Sequence, residues 1–550
     1  MLGIRVAVQR SAMVLLVLTA FVSVALTAER PASSWGGEGD EFVFLAQTEN
    51  GEFYGVGWTT SYGTQTRNAL MLKVNRTLDG VEWGRVWSWI DGTVDFEGPA
   101  IASNGDLVFG GCTNYNPTNE SCNGDVFLLK YDGTGTFQWA KTWSSEDGTA
   151  VDDADAVAID ASGNIYVTGG TTVSGVTETL LLKWSPSGDL IWDRKWKRSE
   201  GFADSANAIG LDALGNVYLG GNTQNLSGRV EALVMKYDPD GNLLWAKSWS
   251  NLPIGTINND AFAMLVSAAG DVLLAGVDDN SGVRRQFLTR VDSNGSVVGS
   301  IVWEHGGGLD SDGGVVSADA AGTAAYVGGV LSDPDNIEPT EGLILAYDSA
   351  GGLLASKRWT DPVGAQFATF LPIGSKRLLV SGYTVQTEGP LLNTGGSSSP
   401  GVPTQTDLSG SGGSAPGTVS TTSGVETVPV GCAQPPCGGA DVMFHELTRV
   451  CLGLDPGLSV NPDLCSGGAS APATDVIRGD LESLRIDQGQ VDLGDTRCVA
   501  SGVPWDRVSD LSPVPVAGTG TFYLAKASTD PDFGNASTPR TRWNDVDPCP

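Results

Sequence analysis

Histidine is almost missing from this chain: only His305 and His445 occur in 550 residues. A Ser-His or Cys-His catalytic pair, or a histidine-rich metal centre, therefore has almost nothing to be built from. No GxSxG, HExxH, CxxC or Walker sequence occurs either, which removes the common signatures of serine hydrolases, zinc peptidases and phosphate-cradling loops. Basic residues are scarce beside acidic ones, 32 against 64, for a formal net charge of -32. A field of that sign disfavours nucleic acid and anionic membrane surfaces as partners. Long hydrophobic runs are missing as well, except one. Behind Arg5 and Arg10, residues Ala12 to Ala28 carry no charge. That run is short for a membrane span and has the basic flank of a secretory signal peptide, so residues 1–28 are expected to be removed after Ala25 or Ala28. With no second run of spanning length, a secreted, extracellular or periplasmic protein is expected, free or at the cell surface, with no membrane span.

Cysteine is sparse but even in number, eight in all, which suits disulfides in an exported protein. Proximity suggests Cys112 with Cys122, Cys432 with Cys437, Cys451 with Cys465, and Cys498 with Cys549. Eight cysteines allow 105 connectivities, so proximity alone does not fix them. The spacing lacks the tight pairs of a zinc site.

What the chain does have is a period. A phrase ending in tryptophan recurs, most clearly at Tyr131–Trp139, Trp184–Trp192 and Tyr237–Trp245, and a second tryptophan follows each by four residues. Extended both ways, that second position reads Trp35, Trp87, Trp143, Trp196, Trp249, Trp303 and Trp359, in steps of 52, 56, 53, 53, 54 and 56 residues. A period held this tightly marks copies of one supersecondary unit. In the clearest copy, short β-branched and aromatic runs alternate with Gly, Asn, Asp and Pro turns from Asp153 to Trp196, the pattern of four antiparallel strands. A turn glycine after each first strand, at 51, 105, 163, 215, 270, 322 and 374, supplies the positive φ that such turns demand. Seven four-stranded units predict an all-β fold, a seven-bladed β-propeller, with the propeller domain spanning 29–450.

The ends of the repeat predict how the ring closes. Ser33 to Asp40 has the character of the end of a unit. The last unit loses its pattern after Thr384, regains a third strand near Ala440 to Leu447, and lacks a fourth. The segment at Trp35 can fill that vacancy and latch the ring, pairing edges that would otherwise be open. Between these parts, residues 386–437 turn to Gly, Ser, Thr and Pro, a composition that reads as a flexible low-complexity insert with O-glycosylation as one use.

The run Ala156-Val-Ala-Ile-Asp-Ala-Ser-Gly-Asn-Ile-Tyr-Val-Thr-Gly-Gly170, with Lys236-Tyr-Asp-Pro-Asp-Gly-Asn-Leu-Leu-Trp245, resembles the bacterial seven-bladed β-propeller repeat family, SBBP, over roughly residues 35–385. The resemblance implies a secreted or cell-surface bacterial propeller. It implies no catalytic residues, since the family has no single activity. Residues 451–550 are similar to accessory segments of exported bacterial proteins and are expected to form a small disulfide-bonded β domain. Within them Arg478-Gly-Asp480 spells an integrin tripeptide, a match short enough to arise by chance.

Candidate chemistry is thin. The tryptophans are either sugar-stacking platforms or packing anchors; burial of each would contribute about 2–3 kcal/mol. An aspartate stands ten or eleven residues before most turn glycines: Asp40, Asp95, Asp152, Asp204, Asp260 and Asp312. These carboxylates could ring one mouth of the central channel and take calcium or a cationic ligand, or each could bond backbone amides of its own connector. Asp238-Pro-Asp-Gly-Asn242 starts like a calcium loop but lacks its remaining ligands, which favours a β-turn. The functional expectation is a binding or surface-interaction module, a monomer, with a protein or glycan at a mouth on the loops Asn114–Cys122, Thr171–Thr177 and Asn222–Arg229. The alternatives are a carboxylate-dependent glycan hydrolase or lyase, and a purely structural surface protein. No cofactor is expected, with calcium as the one candidate ion.

Overall fold

The computed structural model describes most of residues 33–448 and six strands between Thr474 and Trp543; residues 1–32, 428–441, 449–473 and shorter stretches elsewhere lie outside the described residues. The signal peptide, the second and third cysteine pairs and Cys549 fall among these. The described chain contains strands and no helix. It divides into two compact units, one holding Ala32–His445 and the other Glu446–Pro550 with the first 31 residues.

The first unit is a seven-bladed β-propeller. Blade one is Glu41–Gln47, Phe53–Thr59, Asn68–Val74 and Val81–Trp89, ordered from the channel outward, and blade two is Val94–Ile101, Leu107–Thr113, Val126–Tyr131 and Phe137–Ser145. In blade three an interrupted inner strand, Val151–Asp152 and Ala156–Ile159, precedes Ile165–Val173, Val176–Trp184 and Leu190–Arg198. Blade four is Asp204–Leu211, Val217–Gln224, Val230–Tyr237 and Leu243–Ser250, and blade five is Ile257–Val266, Val272–Asn280, Val283–Val291 and Val297–Glu304. Blade six is Asp310–Ala318, Ala324–Ser332, Glu341–Asp348 and Leu353–Trp359. Each inner strand touches the next, and that of blade seven, Ala365–Ile373, touches that of blade one.

Blade seven is assembled from three parts of the chain. After Ala365–Ile373 and Arg377–Thr384, its third strand is Val442–Thr448 and its outer strand is Ser33–Trp35. The latch expected from the sequence is present: Ser33, Ser34 and Trp35 pair antiparallel with Phe444, Met443 and Val442. This first described strand thus covers the edge of Val442–Thr448, which would otherwise be a template for further pairing.

The repeat is legible in how blades touch. The second tryptophan of the phrase is buried in every blade where it is described: Trp143, Trp196, Trp303 and Trp359 are 0% exposed, Trp87 2% and Trp249 3%. The packing reading of these residues is therefore the one that holds. The first tryptophan lies in a cross-strand row with a tyrosine and a lysine: Tyr54–Lys73–Trp83, Tyr166–Lys183–Trp192 and Tyr218–Lys236–Trp245. The ammonium sits between the two rings, 4.9 Å from the Tyr166 ring centre and 5.9 Å from that of Trp192 in blade three. The same base reaches the next blade. Lys130 Nζ donates to Pro186 O and Lys183 Nζ to Pro239 O, both at 3.0 Å, and Lys236 Nζ to Ser293 O at 3.3 Å. Those acceptors belong to the Asp-Pro-Asp-Gly type of turn. At Gly188 and Gly241, φ is 81° and 79°, and a Cβ would come within 3.1 Å of Trp139 or Trp192 of the preceding blade, so only glycine fits there.

The insert differs from expectation. Instead of a flexible loop, it lays six short strands on six blades. Leu391–Asn393 pairs with the outer strand of blade six, Ser397–Pro400 with blade five, Thr404–Asp407 with blade four, Gly410–Gly413 with blade three, Gly417–Thr421 with blade two, and Gly424–Thr427 with blade one. The chain thus leaves blade seven, passes backwards around the ring, and returns to blade seven as its third strand. The register is regular: Leu391, Ser398, Gln405, Gly412, Val419 and Glu426, seven residues apart, oppose Trp359, Trp303, Trp249, Trp196, Trp143 and Trp87. Seven extended residues span at most about 25 Å, which bounds the distance between neighbouring outer strands at this level. Successive strands twist by about 20–25°, so the outer strand is turned far from the inner one, and a belt antiparallel to it can run around the rim.

The second unit contains a sheet of Thr496–Val503, Thr474–Asp480 and Thr521–Ala527, and a smaller group of Arg485–Asp487, Gln490–Asp492 and Arg542–Trp543. Arg478-Gly-Asp480 ends the central strand, with Arg478 and Gly479 paired on both edges and Asp480 on one, and is therefore strand rather than loop. Cys498 lies in the neighbouring strand.

Candidate functional site

All inner strands run in the same sense, so their first residues gather at one mouth, together with the connectors between blades and the turns joining second to third strands. The structure divides the expected ring of aspartates into two rows. Asp152 and Asp204 lie in rows Asp152–Thr171–Glu178 and Asp204–Thr223–Glu231. Asp95, Asp260 and Asp312 lie one row over, in Asp95–Cys112–Val126–Trp143, Asp260–Val277–Gln286–Trp303 and Asp312–Val330–Gly342–Trp359. A shift of one residue along a strand places a side chain on the other face. The distances of ten and eleven residues to the turn glycine were two positions, not one. Asp40 lies outside the described residues.

The first pair acts as staples. Asp152, 0% exposed, accepts the Ser145 amide at 2.8 Å and the Thr171 hydroxyl at 2.6 Å. Asp204 accepts the Arg198 amide at 2.8 Å. Each carboxylate thereby ties the connector entering its blade. Burial pushes both above the usual carboxylate range, against the pull of these hydrogen bonds.

The second row is different in blades five and six. Arg284 of blade five reaches the inner strand of blade six: its amide donates to Asp310 Oδ1 at 3.0 Å, and its Nη1 lies 3.0 Å from Asp312 Oδ2. Two further bonds fix the junction, from Gln286 Nε2 to Asp312 O at 2.8 Å and from the Gln286 amide to Ser311 Oγ at 3.1 Å. Asp312 Oδ1 is buried with no hydrogen-bond partner in the protein. Asp260 also feels Arg284 and repels Asp312. Burial raises both carboxyls, Arg284 lowers them, and neighbouring acids, Asp279 for Asp260 and Asp310 with Asp260 for Asp312, raise them again. The result is two carboxyls that hold protons more readily than usual around one partly exposed guanidinium. Such a group can accept and donate hydrogen bonds to hydroxyls and can serve acid–base chemistry. Arg284 already supplies a cation to Asp312, and Asp152 and Asp204 stand one row away from Asp260 and Asp312.

The mouth holds a further charged network that the sequence reading did not single out. Glu231 is bound by Arg198 at 2.9 Å, Asn225 at 2.8 Å and Ser248 at 2.7 Å. Burial alone would raise it, yet these partners hold it below the usual range. Glu178 pairs with Lys195 and Lys197, and Glu341 with Arg358. The shared signal is an acid at the start of the third strand and a base at the end of an outer strand.

Of the expected loops, Thr171–Thr177 is mostly hairpin strand, paired up to Val173 and Val176. Asn222–Arg229 is a hairpin to Gln224 and Val230, closed by Asn225 accepting the amides of Ser227 and Arg229. In the third, Cys112 and Cys122 are joined as a disulfide with Cα atoms 5.9 Å apart. Asp238 spends its carboxylate on its own turn, accepting the amides of Asp240 and Asn242 and the Asn242 side chain, as a β-turn requires.

No protein-family model matches this chain, and no curated protein matches it. Among solved structures, it is similar to a polysaccharide lyase of family PL25, an ulvan lyase, with a TM-score of 0.39 and 11% identity over 67% of this chain and 94% of that one. It is also similar to Sqt1 from Chaetomium thermophilum, with a TM-score of 0.35 and 12% identity over 64% and 95% of the two chains. Likeness at this level carries no functional information.

Proposed function

We propose that the protein is an exported binding module, a monomer, whose rigid ring presents one mouth to a glycan or protein ligand. The observation that carries this reading is the Asp260–Arg284–Asp312 group, where a partly exposed cation and two buried carboxyls with raised pKa, one with an unspent buried oxygen, lie at the same mouth. Such a mixed set suits hydroxyl-rich or amide-bearing ligands better than a simple cation. The basic residues Arg5 and Arg10 followed by the uncharged run Ala12 to Ala28 support placement outside the cytoplasm; no helix among the described residues is long and apolar enough to cross a membrane. The test is a glycan array and a surface-protein pull-down with the mature chain, beside Asp260→Asn and Asp312→Asn. Binding that both substitutions weaken supports the reading; binding that ignores both overturns the choice of mouth.

A second reading rests on the raised carboxyls of Asp260 and Asp312: cleavage of a glycan by acid–base chemistry. Turnover of a polysaccharide panel, lost in the same two variants, would select it over binding alone.

A further inference from the structure

The Tyr–Lys–Trp row is complete in blades one, three and four and loses both of its rings in blade five. In blade five the corresponding row is Leu273–Arg290–Gly299. The base remains, while the ring on each side of it is gone. A Cβ placed on Gly299 would meet no atom within 4 Å. Across the junction, blade six contributes Ala324 and Ala325, and Ala325 stands where blades three and four have Ile165 and Val217. Together these reductions leave a cleft of about 570 Å3, lined among others by Leu273, Arg290, Val298, Ala325 and Asp319. Its position is shared by a smaller cleft of about 240 Å3 between blades two and three, where Val108 replaces the tyrosine but Trp139 is kept. Blade six also lacks the tryptophan, with the row Tyr326–Ala346–Ala355, but it carries no base there. Blade five alone among these rows keeps a cation and loses both rings.

We propose that this cleft, on the face of the ring opposite the carboxylate mouth, binds a small uncharged planar aromatic molecule. The ring of the ligand takes the place that Trp192 or Trp245 occupies beside the base in blades three and four, and stacks on the guanidinium, whose planar face suits an aromatic partner. Arg85 and Arg194 already lie over Trp83 and Trp192 at 5.2 and 5.0 Å in this protein. Arg290 itself is held in place by the next blade. It spends Nη1 and Nη2 on the carbonyls of Ser349 and Asp348 of blade six, at 2.7 and 3.2 Å, and its Nε is buried, so it offers a ligand its planar face rather than a hydrogen bond. Asp271 and Asp319 also line the cleft, and the chain is strongly acidic, so a neutral ligand fits better than an anionic one. The volume is that of an ordinary small-molecule pocket, about 300–1,000 Å3.

Indole-3-propionamide is the probe, titrated calorimetrically into the mature protein. The matched variants are Leu273→Tyr and Gly299→Trp, which restore residues the repeat carries in other blades, and Arg290→Ala, which copies blade six. Saturable binding to the unmodified protein is expected, lost in Leu273→Tyr and Gly299→Trp, and weakened about tenfold or more in Arg290→Ala. Both filling variants should also melt higher than the parent, which separates a filled cleft from a misfolded one. Absence of saturable binding to the parent, equal binding by either filling variant, or equal binding of the aliphatic octanamide would overturn the proposal.

Discussion

Transplanting the vacated row into an intact junction measures what the row contributes. In Tyr218→Leu, blade four acquires the residue that blade five carries at Leu273. Tyr218 is 0% exposed; its hydroxyl donates to Asp212 Oδ2 at 3.2 Å, its ring centre lies 4.8 Å from Lys236 Nζ, and its ring meets Trp245 edge-on at 6.1 Å. The aromatic pair is worth about 0.5–1.5 kcal/mol and the cation over the ring about 0.5–2 kcal/mol. The hydrogen bond adds about 1 kcal/mol, at the low end because Asp212 keeps the amides of Leu214 and Asn216 and the Asn216 side chain. Leucine restores most of the apolar burial, so the loss is expected at about 2–4 kcal/mol. Tyr218→Phe, which removes only the hydroxyl, should cost about 1 kcal/mol. Urea denaturation followed by tryptophan fluorescence and by circular dichroism, with the two curves coincident, gives the difference. A Tyr218→Leu protein within about 0.5 kcal/mol of the parent, the range of an ordinary surface change, would refute the claim that these rows stabilise the blades that carry them.

Removal of residues 29–40 strips Ser33–Trp35 from blade seven and should lower the melting temperature sharply, with new concentration-dependent association through the exposed edge of Val442–Thr448; an unchanged melt argues against the latch. Asp204→Asn tests the staple. Burial raises the folded pKa of Asp204 above the usual value of about 3.9, so its favourable contribution is complete below that value and is lost as pH rises through the folded pKa. The asparagine variant should therefore gain on the parent between pH 4 and pH 7 in paired denaturation curves, and a variant that loses ground over that range would show that the ionised carboxylate is the stabilising form. Calcium and EDTA should leave the melt unmoved, because Asp152 and Asp204 are committed to Ser145, Thr171 and Arg198 and Asp312 to Arg284; a rise of several degrees with calcium would restore the idea of a metal-binding ring.

The tryptophan period made the blades legible, because a large side chain needed once per blade leaves a mark at every copy. The latch was legible for the same reason: Trp35 sits among residues that end a unit, while the last unit lacks an end. The belt was not, since an outer edge accepts a partner through backbone groups and makes small demands on side chains. Its phase was nonetheless written in the chain, where Gly396, Gly410, Gly417, Gly424 and Gly431 and Pro403 fall on one seven-residue period, hidden in a segment whose composition suggests a coil. The described aspartates divide into two rows on a finer scale than the sequence period shows. Spacings of ten and eleven look alike in a sequence and lie on opposite faces of a strand, as Asp204 and Asp260 do. The Arg284 junction left no local signal, because its members come from different blades.

The belt is the feature that most separates this ring from a plain seven-bladed repeat, and amide hydrogen exchange of residues 391–427 tests it most directly. Strands that pair with six outer strands should show protected amides in six short groups, at Leu391–Asn393, Ser397–Pro400, Thr404–Asp407, Gly410–Gly413, Gly417–Thr421 and Gly424–Thr427, with exchange slowed about a hundredfold or more over an unstructured chain. Exchange across the whole segment at the rate of an unstructured peptide would contradict the girdled propeller.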